Sequence, residues 1–510
     1  MAELSRPFPP GEYPAIVVGS GPGGLQISYE LRRLGIEHAV LSADPRPGGM
    51  FRRWPFFQRL LSWTKPHAPV ETGTRAYERH DWNSLIATEP AARALQPTFM
   101  DGSSYFPSRP EMEENLVAFA ERAGIVVRYG CEWTGTRRAA EARPDDPRFV
   151  VETSDGEYTC RALILAVGIA EPYTPPGDGM EHTHHYAHVR PVATYADRRV
   201  LILGKQNSGF ELASGMLPWA RQLILASPSP AKLSVETRSL VGVRARYVQP
   251  YEDHVLGGGV VILDASVGRI ERTAGGALSA VLDRSDGSGA VRLEVDDVIS
   301  ATGFVAPLGD LPGLGVQVVG SSRLPVQSPW WESVTAPGVH FAGTLGQGSR
   351  GLRKHGIPAN SGAVHGARYN AIVLARRLAE TRFGIDVERP VVAPVEIVGF
   401  VARELGEAPE LFHQRGYLGR VVTVDPSGGW RDEGVQPLAH ALDAGGPDGL
   451  IVTLEADGSG AIFPVLYTRV GGATGEVALE PDPLLDYDTD EIRRAVASVV
   501  ERVGPVARPA

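Results

Sequence analysis

Cysteine is almost missing from this chain of 510 residues, which has Cys131 and Cys160 and no others. They form no C-x-x-C, and two thiols make no disulfide framework. Long apolar runs are missing as well. None approaches the ~18 residues that span a bilayer, and residues 1–10 have no apolar signal core, so a soluble, cytoplasmic chain without a membrane partner is expected. Basic charge is in deficit: 50 Lys and Arg stand against 60 Asp and Glu, a formal net charge of −10. Nucleic-acid binding needs a basic face, so that partner is not expected. His182, His184, His185 and His188 crowd one stretch, but no cysteine or carboxylate cluster joins them to complete a metal site.

What is present begins with an apolar fraction of 43%, enough for ordinary cores, and a length that suggests about three domains. The chain is organised around residues 15–24. Ala15, Ile16, Val17 and Val18 read as a buried strand. It breaks into Gly19-Ser20-Gly21-Pro22-Gly23-Gly24, a G-x-G-x-x-G, and a helix pattern follows to Leu34, with Ile27, Leu31 and Leu34 on one face and Gly35 as its stop. Strand, turn and helix in that order predict a dinucleotide site: Gly19 for the tight turn, Gly21 for the approach of a pyrophosphate, Gly24 for close packing of helix on strand. A second apolar stretch, 38–41, ends at Ser42 and Asp44, where an acid would hold the ribose. Residues 52–100 are irregular and rich in Trp, Phe and His (Trp54, Phe56, Phe57, Trp63, His67, Trp82). Loops this long tend to be functional, and this one is expected to line the ligand cavity. A helix capped at 107–110, a strand at 125–129, a hairpin at 149–161 and a buried strand at 162–168 ending in Gly168 complete the first unit.

A proline-rich connector at 171–177 marks a boundary. Beyond it, strand 199–203 runs into Gly204-Lys205-Gln206-Asn207-Ser208-Gly209 and a helix, repeating the first unit with Gln206 in place of the middle glycine. The next strand ends at Ser227 without an acid, and Lys232 and Arg238 follow. That combination favours a 2′-phosphate, hence NADPH over NADH, although such bases are most often solvated surface charges. A strand from 297 ends in Thr302-Gly303, and a short strand over 339–344, with Gly343 and Thr344 at its end, opens into the basic cluster Arg350, Arg353, Lys354 and His355 before a long helix. Basic residues at a helix start attract anions: the flavin's O2 side, a phosphate or an acidic substrate. From 386 onward a helix, four short strands and a final amphipathic helix read as an α+β module with no catalytic motif. The expected fold is α/β, with two Rossmann-like dinucleotide-binding domains plus a C-terminal α+β domain. The boundaries are 1–170 and 331–385 for FAD, 171–330 for NAD(P)H, and 386–510 for a module of unknown role that leaves a homodimer open.

The pattern over residues 15 to about 380 resembles the two-dinucleotide-binding-domain flavoproteins, and most of all the flavin-containing monooxygenases. Gly19, Gly21 and Gly24 match that family's FAD loop, with Ser20, Pro22 and Gly23 between them. Gly48-Gly49-Met50-Phe51 is similar to its G-G-x-W, and Trp133 stands where the backbone meets adenine. His182 and Tyr186 are spaced like the end of its fingerprint, Asn207-Ser208-Gly209 resembles its NADPH loop, and Ala301-Thr302-Gly303 its A-T-G. The resemblance implies FAD and NADPH as cofactors (NADH as the alternative), molecular oxygen and a small-molecule substrate as partners, and insertion of one oxygen atom through a peroxyflavin. It places Thr64, Lys65 and Arg353 around the flavin. Three positions depart from the family: Ser42 for the ribose Glu, Gln206 for a glycine, and Ser62-Trp63-Thr64-Lys65 where an Asn is expected. The missing C-x-x-C disfavours a disulfide reductase. A reductase or oxidase without oxygen insertion, and a non-catalytic nucleotide-binding scaffold, remain as alternatives.

Overall fold

The computed structural model describes residues 6–55, 58–140, 142–143, 146–308 and 314–504; Phe56 and Phe57 lie outside them. The opening strand, Ala15–Val18, sits at the centre of a five-stranded parallel sheet. Its order is Val339–Phe341, Ala162–Leu165, Ala15–Val18, His38–Ser42, Arg128–Tyr129. Parallel strands covered on both faces read as continuous apolar runs, and Ile16, Val17, Leu163 and Ile164 are fully buried. The helix Pro22–Arg33 lies against the closing helix Val364–Arg382 in one core with this sheet. On the other face, Trp133–Arg138, Phe149–Thr153 and Gly156–Cys160 form an antiparallel layer. The hairpin was legible; its partner strand Trp133–Arg138 was not, because Thr, Gly and Arg give it no apolar alternation. Of the strand expected at 125–129, Arg128–Tyr129 forms.

The second unit repeats the plan. Gln222–Ser227, Arg199–Leu203, Asp297–Ser300 and His184–His185 run parallel, and Val260–Arg272 continues the sheet into an antiparallel meander with Leu278–Arg284 and Ala290–Val295. The chain enters and leaves this unit through one two-stranded ribbon, Glu171–Pro172 against Phe304–Val305. That pairing gives the proline-rich connector a physical role: both crossings are hydrogen-bonded together.

Residues 391–478 build a six-stranded sheet, ordered Val391–Val392, Trp430–Pro437, Leu418–Val424, Gly449–Ala456, Ile462–Val470, Ala473–Ala478, antiparallel throughout. Helices Ile397–Glu407 and Asp490–Val503 bury their apolar stripes on it around Val452, Leu466, Val496 and Trp430. Thr489 caps the final helix through the Ile492 amide, at 3.3 Å. The sheet packs on the first unit through an apolar seam, with Tyr417 and Leu418 in one core with Trp331, and through polar contacts. Arg75 reaches Glu404 at 2.7 Å and Glu410 at 2.6 Å, Gln414 bonds Asn370 at 2.7 Å, and the Asn360 amide bonds the His413 carbonyl at 2.7 Å. Among the described residues, no helix is long and apolar enough to cross a membrane.

Candidate active site

Four of the glycines in the first turn answer to two different demands. A Cβ on Gly19 would stand 2.5 Å from the Ala166 carbonyl oxygen, one on Gly24 would overlap the Gly19 oxygen, and one on Gly23 would overlap Gly343. These three are small because the protein's own backbone is there. Gly21 differs: the nearest atom to a Cβ would be the Gly49 Cα, at an ordinary 3.8 Å. No protein neighbour requires a glycine at 21, so the open space beside it, at the N-terminus of Pro22–Arg33, fits a pyrophosphate against free backbone N–H groups.

That space belongs to one cavity of about 1430 Å³. From the first unit it is lined by Gly19, Ser20, Gly21, Pro22, Gly23, Ser42, Asp44, Gly49, Phe51, Trp133, Gly168, Gly343 and Thr344, and from the second by Gly204, Gln206, Asn207, Ser208, Ser227 and Gly303. Gly24, Gly48 and Gly209 stay off the surface. Gly48 (φ +138°) shapes the turn into Gly49–Arg52, and a Cβ on Gly209 would overlap the Gly204 oxygen, the same packing demand as at Gly24. At the ribose position the Ser42 hydroxyl is 2.8 Å from that of Ser20, and Asp44 is paired with Arg53 at 3.1 Å.

Several expected site residues stand elsewhere. Thr64 is fully buried, gives its hydroxyl to Asp81 (2.9 Å) and accepts from Asn83 (3.0 Å). Lys65 is exposed, its backbone tied to His80. Neither lines the cavity, because the loop turns after Ser62. Ser62 does line it, and its hydroxyl bonds Asn83 at 2.5 Å; an asparagine therefore stands behind this wall, supplied from a later turn. His182 lies off the cavity beside Glu181. It is His185 that supports the site, bonding the Gly303 carbonyl at 2.9 Å, while Tyr186 lines the cavity. Among the described residues no histidine, cysteine and carboxylate group could hold a metal. Lys232 and Arg238 are exposed and off the cavity, with Arg238 reaching the Asp457 carbonyl instead. The basic cluster divides: Lys354 pairs with Glu476 and Glu455, and His355 with Glu455 at 2.8 Å. Arg353 (φ +51°) lines the cavity with no ion-pair partner among the described residues. Of the aromatic segment, Trp54 and residues 58–62 line the cavity. Trp63 and Trp82 stack on each other at 4.8 Å and extend to His365 at 4.2 Å, forming a packed support.

Sequence reading missed Glu211, Tyr247, Arg59, Lys205 and Arg368, all on the cavity wall. Lys205 is 1% exposed, pairs with Asp264 and donates to the Leu263 carbonyl. Glu211 stands one helical turn after Asn207, and an acid at that place in a glycine-turn helix was the available signal. Burial pushes its carboxyl up to about 7, against the pull of Tyr247, the Arg59 amide, Tyr186 and Arg246. The two thiols stand apart from such chemistry. Cys160 is in the core and Cys131 beside Trp133 at the far end of the cavity, and burial pushes both upward.

Two glycine turns facing one cavity define a dinucleotide-binding redox fold. A family model described as pyridine nucleotide-disulphide oxidoreductase matches residues 16–343, and the chain belongs to that family. FAD-dependent oxidoreductase domain-containing protein 2 of Danio rerio is 25% identical over 460 residues, 81% of this chain and 65% of the relative. Its Mus musculus counterpart is 27% identical over 435 residues, 80% and 64%; the chain thus spans just under two thirds of these relatives' length. A flavin-containing monooxygenase from Stenotrophomonas maltophilia superposes with a TM-score of 0.53 at 22% identity, covering 72% of this chain and 99% of that one. The fold is that of the two-dinucleotide-domain flavoproteins.

Proposed function

We propose that this chain is an FAD-dependent, NAD(P)H-consuming oxidoreductase that inserts one oxygen atom from molecular oxygen into a small-molecule substrate. The observation that carries the redox reading is the single cavity shared by the Gly19–Gly24 and Gly204–Gly209 turns, which lets a nicotinamide and a flavin meet without crossing solvent. FAD would lie along Gly21, Gly49, Phe51, Gly343 and Thr344 with its adenine end toward Ser42 and Trp133, and the nicotinamide dinucleotide along Gln206, Asn207, Ser208 and Gly303. The bound flavin supplies hydride acceptance and oxygen activation; the protein positions it and excludes water. Asn207 spends its amide on the 240 and 242 carbonyls and on the Arg244 amide (2.9–3.1 Å), so its part is to shape the loop over the nucleotide. Arg353, held in a left-handed turn beside the tethered Lys354 and His355, offers its charge to an anion in the cavity. The likeness to a monooxygenase supports oxygen insertion. The exit of Thr64 and Lys65 from the wall supports a second reading, reduction of oxygen or another acceptor without insertion. Paired-thiol chemistry has no pair of thiols on the wall. Turnover with NADPH, oxygen and a panel of amines, sulfides and ketones decides between the two readings. One oxygenated product per NADPH is expected, and stoichiometric peroxide with no product would overturn insertion.

Two substitutions test the nicotinamide side. Gln206→Gly removes a side chain from the position matching Gly21, and the NADPH KM should fall about tenfold, ~1.4 kcal/mol. Lys232→Ala with Arg238→Ala should leave the ratio of NADPH to NADH KM unchanged within about twofold, because screened surface charges contribute little. Steady-state kinetics with both coenzymes checks each.

A further inference from the structure

Where the second unit meets the first, the Glu211 carboxyl is at the centre of four close contacts. The Arg59 amide nitrogen lies 3.1 Å from Oε1, the Tyr247 hydroxyl 2.9 Å from the same oxygen, and the Tyr186 hydroxyl 3.0 Å from Oε2. Tyr247 is also 2.9 Å from the Arg59 carbonyl oxygen. Each contact needs a proton between its heavy atoms. The Arg59 amide supplies one, Tyr186 one and Tyr247 one. Arg59 O can only accept, so Tyr247 donates there and has nothing left for Glu211. One proton shared between Arg59 O and Oε1 would leave both bonds bent and weak, so the arrangement that satisfies all four contacts places the fourth proton on the carboxyl. With it on Oε1, the acid donates to Tyr247, Tyr247 donates to Arg59 O, and all four contacts are satisfied. With Glu211 ionised, either Tyr247 faces the carboxylate without a proton or Arg59 O is left unpaired against the phenol oxygen, a costly arrangement in a buried network.

We propose that Glu211 is a neutral carboxylic acid donating to Tyr247, and that this proton ties residues 58–61 of the first unit to the second. Glu211 is then a positioning residue for the nicotinamide side of the cavity, and its proton links the arrangement of the two units to pH. The chain crosses between the units at the ribbon Glu171–Pro172 and Phe304–Val305, and the Glu211 network adds a hydrogen-bonded tie beside Leu61, which packs into the second unit's core. The other charged groups facing this network are Arg246, 5.3 Å above the Tyr247 ring, and Arg244, against Phe106; the Arg59 guanidinium is turned away onto the Phe106 carbonyl.

The raised carboxyl sets the window. A group whose folded value lies above its free value gives stability that is complete below the free value, 4.5 here, and lost as pH rises to the folded value, about 7. The tether should loosen by roughly tenfold per pH unit across that window and no further above it. The test is made on the FAD-loaded full chain. Infrared difference spectra of wild type minus Glu211→Gln should show a protonated-carboxyl band at pH 5.5 that is gone at pH 9. The Gln variant distinguishes Glu211 from Glu78, which burial also pushes up to about 7. Hydrogen–deuterium exchange of residues 58–61, corrected for the intrinsic rate, should rise between pH 5 and 7 in wild type and stay flat in Glu211→Gln, which is neutral at every pH. Absence of the band at pH 5.5, or the same rise in both proteins, would overturn the proposal. If Glu211→Gln does not fold, wild-type exchange decides alone: a rise confined to the window supports the tether, and a flat profile refutes it.

Discussion

Gly21→Val should fold and yet retain no FAD. Gly21 has extended backbone (φ −76°, ψ −177°) that valine adopts freely, and its Cβ meets no protein atom nearer than 3.8 Å. The same branched side chain would occupy the space a pyrophosphate needs against the turn. FAD affinity should drop by at least about a hundredfold, ~2.8 kcal/mol. A ligand that binds only the folded state raises the melting temperature with its concentration. Wild type should therefore gain stability on adding FAD, and the variant should melt with the apoprotein at every FAD concentration. Equal FAD-induced shifts in both proteins would mean that the diphosphate lies elsewhere. Gly24→Val is the contrast: its Cβ would overlap the Gly19 oxygen, so it should fail to fold rather than fail to bind.

Arg75→Ala should loosen the C-terminal module where it meets the cavity wall. Arg75 bridges Glu404 and Glu410, and Arg420 also reaches Glu404, at 3.4 Å. Burial opposes ionisation of Glu404, but Arg75, Arg420 and Arg403 outweigh it and hold its carboxyl below the usual range. Removing the bidentate partner of a buried carboxylate costs about 3–5 kcal/mol, because the charge left behind is under-compensated. The partial exposure of Arg75 places the expected loss near the lower end. The damage should reach the site, since the module also holds residues 354–361 through Glu455, Gln414 and His413, and Arg353 and Asn360 line the cavity. Limited proteolysis should cut near residues 71–82 and 350–358 in the variant well before wild type, with KM for the oxidised substrate rising alongside. A cleavage pattern like that of wild type would show that the module does not brace this wall.

The parts legible in the sequence are those where local chemistry and tertiary demand coincide. Ala15–Val18, Ala162–Leu165 and residues 200–203 are buried on both faces and read as unbroken apolar runs. The glycine turns follow them because backbone carbonyls leave no room for a Cβ at Gly19, Gly24, Gly204 or Gly209. Ser108 caps its helix as the sequence suggests, and of the two cap candidates for the last helix, Asp488 and Thr489, it is Thr489 that caps it. Trp430–Pro437 was not legible: charged residues interrupt it, and Gly434 (φ +82°) stands by a bulge against Val421 and Val422. The site was legible along the turns and poorly beyond them. Thr64 and Lys65 were placed by the family resemblance, which does not say on which side of Ser62 the loop turns. Lys354 and His355 read as free cations because Glu455 and Glu476, their partners, lie about a hundred residues on. Glu211 acquires its role from Arg59 and Tyr247, whose approach no local pattern encodes.

Whether the two glycine turns hold a flavin and a nicotinamide in one space is tested most directly by an anaerobic NADPH titration of the purified full chain. The account predicts a yellow protein releasing about one FAD per chain, whose visible bands bleach on addition of NADPH. A colourless polypeptide that takes up no FAD on soaking, or a flavin that NADPH leaves oxidised, would contradict it.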